Sequence, residues 1–256
     1  MTEPIAVNWR QPTLGALPNL IIIGAMKCGT TALHGLLDQH PDIAMAAAKE
    51  LNFFFGPATD PGHGTVSTWH RGLEWYASQF DGQARVRGEA SPGYTSPDHP
   101  EAADRMASVV PDARLIYLVR DPIDRAVSQY RHHQADGTEH RPIAEALLDP
   151  GSQYIARGRY YERLAPFIRF FSTEQILILA QEELLSDPER SLERVYRFVG
   201  VQAATQPAAG TQRWNVARGD HVDLPRWLRD RLAGEFADDV DRFRELTGQQ
   251  LAHWSI

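Results

Sequence analysis

The sequence predicts an α/β protein with a central, mainly parallel sheet flanked by helices in three layers. Three observations carry this expectation. Short runs of branched apolar residues recur, each followed by a helical pattern. The first run ends in a glycine-containing turn that opens a helix. The chain of 256 residues, 43% hydrophobic and 23% charged, is long enough and ordinary enough for one well-buried domain.

Residues 1–18, with an acid and prolines but no basic region leading into an apolar core, read as an N-terminal extension and not as a signal peptide. The first strand spans Leu20 to Ile23; a weaker candidate covers Asp42 to Met45, and another covers Ala84 to Gly88. Residues 56–68, GPATDPGHGTVST, are loop by composition, and the following TWHRGLEWYASQF places Leu73, Tyr76 and Phe80 at helical spacing. Strands over Arg114 to Val119 and Gln175 to Leu179 complete the sheet, joined by right-handed crossovers. Residues 201–223 form the longest segment without periodicity, and loops of that length usually serve function. The remaining stretch, 224–256, holds a charged amphipathic helix from Pro225 to about Thr247 that closes the domain and reads as a solvated surface.

A formal net charge of −7 argues against a nucleic-acid coating protein, so any anion site must be local. The longest apolar runs fall far below the roughly 20 residues that span a bilayer. The one cysteine, Cys28, rules out an internal disulfide and fits a reducing cytoplasm, which is the expected location. The ten histidines show no metal-ligand spacing, His132 and His133 being neighbours that point apart, and no metal is expected. A Gly-x-Ser-x-Gly elbow is absent as well. Nothing in the sequence speaks to oligomeric state.

The stretch NLIIIGAMKCGTTAL has the geometry of a phosphate site: a strand ending at Gly24, a loop through Ala25, Met26, Lys27, Cys28 and Gly29, then Thr30 and Thr31 opening a helix. Gly24, Gly29 and Thr31 match the Walker A pattern G-x-x-x-x-G-K-[ST], which makes the fold P-loop-like. Thr30, however, occupies the lysine position, and Lys27 has moved into the loop. Such a loop suits a shorter, metal-free group whose bridging oxygen lies near Lys27, in place of a nucleoside triphosphate with magnesium. Cys28 reads as a small filler residue.

A second anion site lies in RLIYLVRDPIDRAVSQYRHH. Arg120 ends a strand, Asp121 is placed to cap the next helix, and Pro122 occupies its first turn. Ile123, Val127 and Tyr130 share a face that should be buried, with Arg125 and Ser128 on another. Arg120 and Ser128 then converge on an anion at the sheet edge. A surface salt-bridge set using Arg125 and Asp121 explains these residues equally well.

Taken together, IIIGAMKCGTTAL, KELNFF, GEASPGY, LVRDPIDRAVSQY and EELLSDPERSLERVYRFVGV resemble the sulfotransferases that use 3′-phosphoadenosine 5′-phosphosulfate (PAPS), especially heparan sulfate sulfotransferases and their bacterial relatives, over roughly residues 19–200. The resemblance implies that the first loop holds the 5′-phosphosulfate and that Arg120 and Ser128 hold the 3′-phosphate. Lys27 then assists the leaving phosphate, Gly29, Thr30 and Thr31 supply loop contacts, and Glu50 in KELNFF is the general base. It implies 3′-phosphoadenosine 5′-phosphate (PAP) as product and a hydroxyl, in second place an amine, of a glycan, glycolipid or small molecule as acceptor. Sulfuryl transfer needs one cation and one base on opposite sides of sulfur, and this pair supplies them.

Other residues enter through the same resemblance. Arg213 and Arg218 in RWNVARGD are candidate donor contacts; Tyr160 in ARGRYYERL either reaches the donor alongside Arg157 or is a core tyrosine. Glu89 of GEASPGY either orients Lys27, meets the acceptor or makes a structural hydrogen bond. Ala90 stands where heparan-type enzymes carry a lysine, which removes one cation from the acceptor side. Phe53, Phe54, Trp69 and Trp75 either stack on an acceptor ring or belong to the core. The competing readings are a P-loop kinase, which needs magnesium and ATP, and a module that binds nucleotide without transfer.

Overall fold

The computed structural model describes residues 17–57, 66–203 and 223–256. Five strands, β1 (Leu20–Gly24), β2 (Ile43–Met45), β3 (Val86–Ala90), β4 (Arg114–Val119) and β5 (Ile176–Ala180), form one sheet in the order β2-β3-β1-β4-β5. Every neighbouring pair is parallel. β1 is buried at all five positions and β4 from Leu115 to Val119, as expected of central strands covered on both faces.

All five expected strands are present; β4 has the expected bounds, β1 ends one residue later and β2 starts one residue later than expected, and β3 and β5 are displaced along the chain. β3 begins two residues later than the expected Ala84 and runs on through Glu89 and Ala90, which pair with Ile21 and Ile22. The expectation stopped at Gly88, one residue before the charged Glu89. Glu89 is nevertheless fully buried, since its carboxylate is hydrogen-bonded. β5 starts at Ile176 because Gln175 closes the capping box of a preceding 3₁₀ turn with Ser172.

Helix α1 (Thr30–Leu37) follows β1 and packs against β1, β2 and β3. The 69–80 region is a 3₁₀ turn, Trp69–Arg71, leading into α2 (Gly72–Ala77), with Tyr76 and Phe80 buried. α3 (Ala102–Val109) precedes β4, and α4 (Pro122–Ala135) leaves it. Asp121 caps α4 as expected, accepting hydrogen bonds from the backbone N–H of Ile123 at 2.9 Å and Asp124 at 3.1 Å. Three short helices, α5 (Ile143–Leu148), α6 (Gln153–Ala156) and α7 (Tyr160–Ile168), lead to β5, and α8 (Gln181–Ser186) and α9 (Pro188–Val199) follow it. α10 (Arg226–Thr247) packs against α4 and α7. It is more than a solvated surface helix: Leu228, Leu232, Phe236, Val240 and Phe243 form a fully buried stripe, each side chain contributing about 1.5–3 kcal/mol on burial.

Candidate active site

In this strand order the chain leaves β1 toward one edge of the sheet and β4 toward the other. The carboxyl ends of these adjacent strands therefore open a crevice at the topological switch point. The loop after β1 and the start of α4 face each other across it.

The β1 loop is shaped by local backbone constraints. The β1–β4 register shifts between Ile22 and Gly24, and the Ala25 N–H donates to the Leu118 carbonyl at 2.7 Å, tying the loop to β4. A Cβ on Gly24 would stand 2.2 Å from Thr95 Oγ1, so only glycine lets the 3₁₀ turn Pro92–Thr95 cross here. Lys27 at φ 70° and Gly29 at φ 93° are left-handed, which curls the loop into a concavity of amides. Among the described residues the N–H groups of Met26, Lys27, Gly29, Thr30 and Thr31 make no backbone hydrogen bond.

Two loop residues expected to contact the donor have other work. Ala25 and Cys28 are buried, the Ala25 N–H goes to Leu118, and the Cys28 N–H goes to the Ala25 carbonyl at 3.1 Å. They build the turn and have no free N–H to offer an anion. Burial pushes the Cys28 thiol up to about 11, which makes it a filler and not a nucleophile. Thr30 is buried and Thr31 exposed.

Lys27 is half-buried, and no carboxylate pairs with it among the described residues. Burial lowers its pKa; the charges of Arg120, Arg125 and Lys49 act in the same direction, and Asp136 opposes them. Lys27 thus stands in a cluster of cations on a protein of net charge −7.

Across the crevice the backbone at Arg120 is pinned on several sides. Tyr160 Oη donates to the Arg120 carbonyl at 2.8 Å and accepts from its N–H at 3.3 Å, while the Asp121 N–H donates to Glu182 Oε1 at 2.8 Å. The Asp121 carboxylate also accepts from the Ser255 N–H at 2.6 Å and hydroxyl at 2.7 Å. The Arg120 guanidinium and the Ser128 hydroxyl, both half-buried, have no hydrogen-bond partner among the described residues.

Tyr160 is therefore not a donor contact. Its side chain is completely buried, and its hydroxyl is taken by Arg120 and by the Cys28 thiol at 3.5 Å. It acts as a post between the two halves of the site. The surface salt-bridge reading of Arg125 and Asp121 also fails. Arg125 is fully buried, bonded to Gln129 Oε1 at 2.8 Å and to the Tyr154 carbonyl, with Nε unpartnered. It places an uncompensated positive charge beneath the loop.

Glu50 follows β2 on an exposed turn at φ 65°, its N–H donating to the Ala90 carbonyl at 3.1 Å and its carboxylate 3.0 Å from Lys49 Nζ. Glu89 holds this turn from behind. Its carboxylate accepts from Tyr76 Oη at 2.5 Å, Ser91 Oγ at 2.7 Å and Tyr94 Oη at 2.9 Å. Ser91 Oγ accepts in turn from the Asn52 N–H at 3.1 Å, and Tyr94 Oη from the Phe53 N–H at 3.0 Å. Burial pushes the Glu89 pKa up while the three hydroxyls pull it down. Of the three readings of Glu89, the structural hydrogen bond is the one realised.

Phe53 and Phe54 are fully buried, with Phe53 stacked on Tyr76 at a centroid distance of 4.2 Å, so both belong to the core. Trp69 and Trp75 are half-buried; Arg71 lies 4.2 Å over Trp75. Arg213 and Arg218 lie outside the described residues. The sequence reading missed Glu182 and Ser255, which act only through contacts 61 and 134 positions along the chain. No local signal marks either one.

In this P-loop-like α/β fold, Lys27 and Arg120 have no carboxylate partner among the described residues at the switch point, an arrangement suited to an anion, and comparison with known proteins makes the class specific. The sulfotransferase family model matches residues 18–205. The chain belongs to the sulfotransferase family, a family of transferase enzymes. It is 33% identical over 198 residues to mouse heparan sulfate glucosamine 3-O-sulfotransferase 3A1, covering 73% of this chain and 46% of that one. It is 31% identical over 214 residues to mouse bifunctional heparan sulfate N-deacetylase/N-sulfotransferase 4, covering 75% and 23% respectively. The chain thus matches less than half the length of these relatives. Among solved structures, a sulfotransferase from Alicyclobacillus acidocaldarius superposes with a TM-score of 0.79 at 32% identity, over 94% of this chain and 100% of that one. Among the described residues no helix is long and apolar enough to cross a membrane, and no three His, Cys, Asp or Glu side chains cluster as metal ligands.

Proposed function

We propose that this sulfotransferase takes PAPS as donor and transfers its sulfuryl group in line to a hydroxyl, with an amine as the secondary acceptor type, leaving PAP. The observation that carries the reading is the pair of cations, Lys27 and Arg120, on opposite sides of one crevice beside loop amides, all without a partner among the described residues. The amides and the start of α1 fit a 5′-phosphosulfate. Arg120 and Ser128, from a pinned backbone, fit a 3′-phosphate.

In the reaction the bond from sulfur to the 5′-phosphate oxygen breaks, and its electron pair stays on that oxygen. Protonated Lys27 stabilises the charge that develops there. The acceptor oxygen forms the new bond to sulfur, and its proton passes to Glu50. The Glu50 carboxylate is exposed, so an acceptor can reach it from solvent. The relatives' names point to a glycan acceptor; Ala90 in place of an acceptor-side lysine leaves glycolipids and small molecules equally in range.

A thermal-shift comparison tests the donor. PAP without added metal, at about a hundred times its Kd, should stabilise the protein by roughly 2.7 kcal/mol, a rise of about 5–10 °C in Tm. ATP with magnesium should leave Tm unchanged. The reverse pattern would establish the kinase reading, and PAP binding without sulfate transfer to any acceptor would favour the non-catalytic module.

A further inference from the structure

One guanidinium at the mouth of the crevice is only partly used by the fold. Arg157 follows α6, and its side chain is 15% exposed. One edge is anchored: Nε donates to Gln153 Oε1, and Nη2 lies 3.4 Å from Asp98 Oδ2, which also accepts from Gln153 Nε2. The other terminal nitrogen, Nη1, faces Met26 Sδ at 3.6 Å. A thioether is a weak acceptor, so a largely desolvated charged donor is aimed at a group that cannot satisfy it.

Its surroundings indicate what would satisfy it. Met26 directly precedes Lys27 in the phosphate loop. Arg157 is also within electrostatic reach of Glu50, which attracts it, and of Arg125, which repels it. The free edge of the fork therefore stands against the phosphate loop at Met26, one residue before Lys27, with the Glu50 carboxylate within electrostatic reach. Burial pulls its pKa down to about 10, which leaves it charged at neutral pH.

We propose that Arg157 is a further catalytic residue, whose Nη1 hydrogen-bonds an oxygen of the sulfuryl group during transfer; this rests on the PAPS-dependent reading above. As the sulfur leaves the phosphate oxygen beside Lys27 and joins the acceptor oxygen beside Glu50, its three spectator oxygens keep their negative charge. A donor already aimed at one of them, held by Asp98 and Gln153, stabilises the transition state without reorganising. A purely structural Arg157 would only staple the Asp98 turn to the loop.

Release of labelled sulfate from PAPS into water separates these roles without a known acceptor, because water replaces the acceptor oxygen and the sulfuryl contact is unchanged. R157Q should slow this release about a hundredfold, with PAP affinity measured by calorimetry within threefold of wild type. R157K, which keeps the charge but loses the planar fork, should fall between the two; it carries the test if R157Q does not fold. An unchanged rate, or a PAP affinity that falls in step with the rate, would overturn the assignment. Failure of the wild type to bind PAP would overturn the underlying reading together with this one. PAP binding by wild type with full-rate R157Q would sink the Arg157 proposal alone.

Discussion

The proposed donor and acceptor sides of the crevice are built in opposite ways. On the donor side, the backbone carrying Arg120 is gripped by Tyr160, Glu182 and Ser255, and the phosphate loop is tied to β4 through Ala25. On the acceptor side, Glu50 rides an exposed turn in a left-handed conformation, held by its N–H on the Ala90 carbonyl and from behind by the Glu89 hydroxyl network. The difference teaches where each side gets its precision. A donor of fixed shape can be met by groups locked before binding, whereas a base must reach an acceptor that comes in from solvent.

Substitutions of the two proposed catalytic groups should break this contrast most visibly. Lys27→Ala and Glu50→Gln should each lower kcat by about a hundredfold or more, but only Lys27→Ala should also weaken PAP binding. If Glu50→Gln weakens PAP to the same degree in calorimetry, the two sides are not separable. A Glu50→Gln enzyme with full turnover would remove Glu50 from the mechanism.

Next in size is the 3′-phosphate contact. Loss of a charged hydrogen-bonding partner typically costs about 1.5–3 kcal/mol, so Arg120→Ala should weaken PAP roughly 10- to 150-fold. Ser128→Ala, removing a neutral donor, should cost about 0.5–1.5 kcal/mol. Glu89→Gln tests the other side: with one hydroxyl of the buried trio left without an acceptor, stability should fall by about 1–3 kcal/mol, read in a denaturant melt. Turnover should fall with it through the misplaced Glu50 turn, at unchanged PAP affinity. Loss of PAP binding instead would place Glu89 on the donor side.

The smallest effect is a shift in pH dependence. Lys27 must be protonated to assist departure, and burial with neighbouring cations sets its pKa below the ordinary 10.5. Activity should therefore fall as pH rises through that lowered value, earlier than for an ordinary lysine. The folded state releases this proton more readily than the unfolded chain, so the group's contribution to stability rises with pH between the lowered value and 10.5. Lys49→Ala, which removes one of the repelling charges, should move the alkaline limb of the rate profile upward. A limb that stays in place would mean that another group controls it.

The sequence by itself determined what depends on near neighbours. Branched apolar runs marked β1, β4 and β5, Asp121 and Pro122 marked the start of α4, and the spacing of Gly24, Lys27 and Gly29 marked the anion loop. Period, capping and turn chemistry act over a few residues, and the resemblance that pointed to Glu50 is likewise carried by a short motif. Only the tertiary structure decided that Arg125 and Tyr160 are buried, that Glu89 serves the fold, that Ala25 and Cys28 have spent their amides, and that Ser255 and Glu182 brace Arg120. Those outcomes depend on which side chains from distant parts of the chain meet when the elements pack. Whether a polar group faces a ligand or a buried partner is settled by the free energy of that meeting, which no window of neighbouring residues contains.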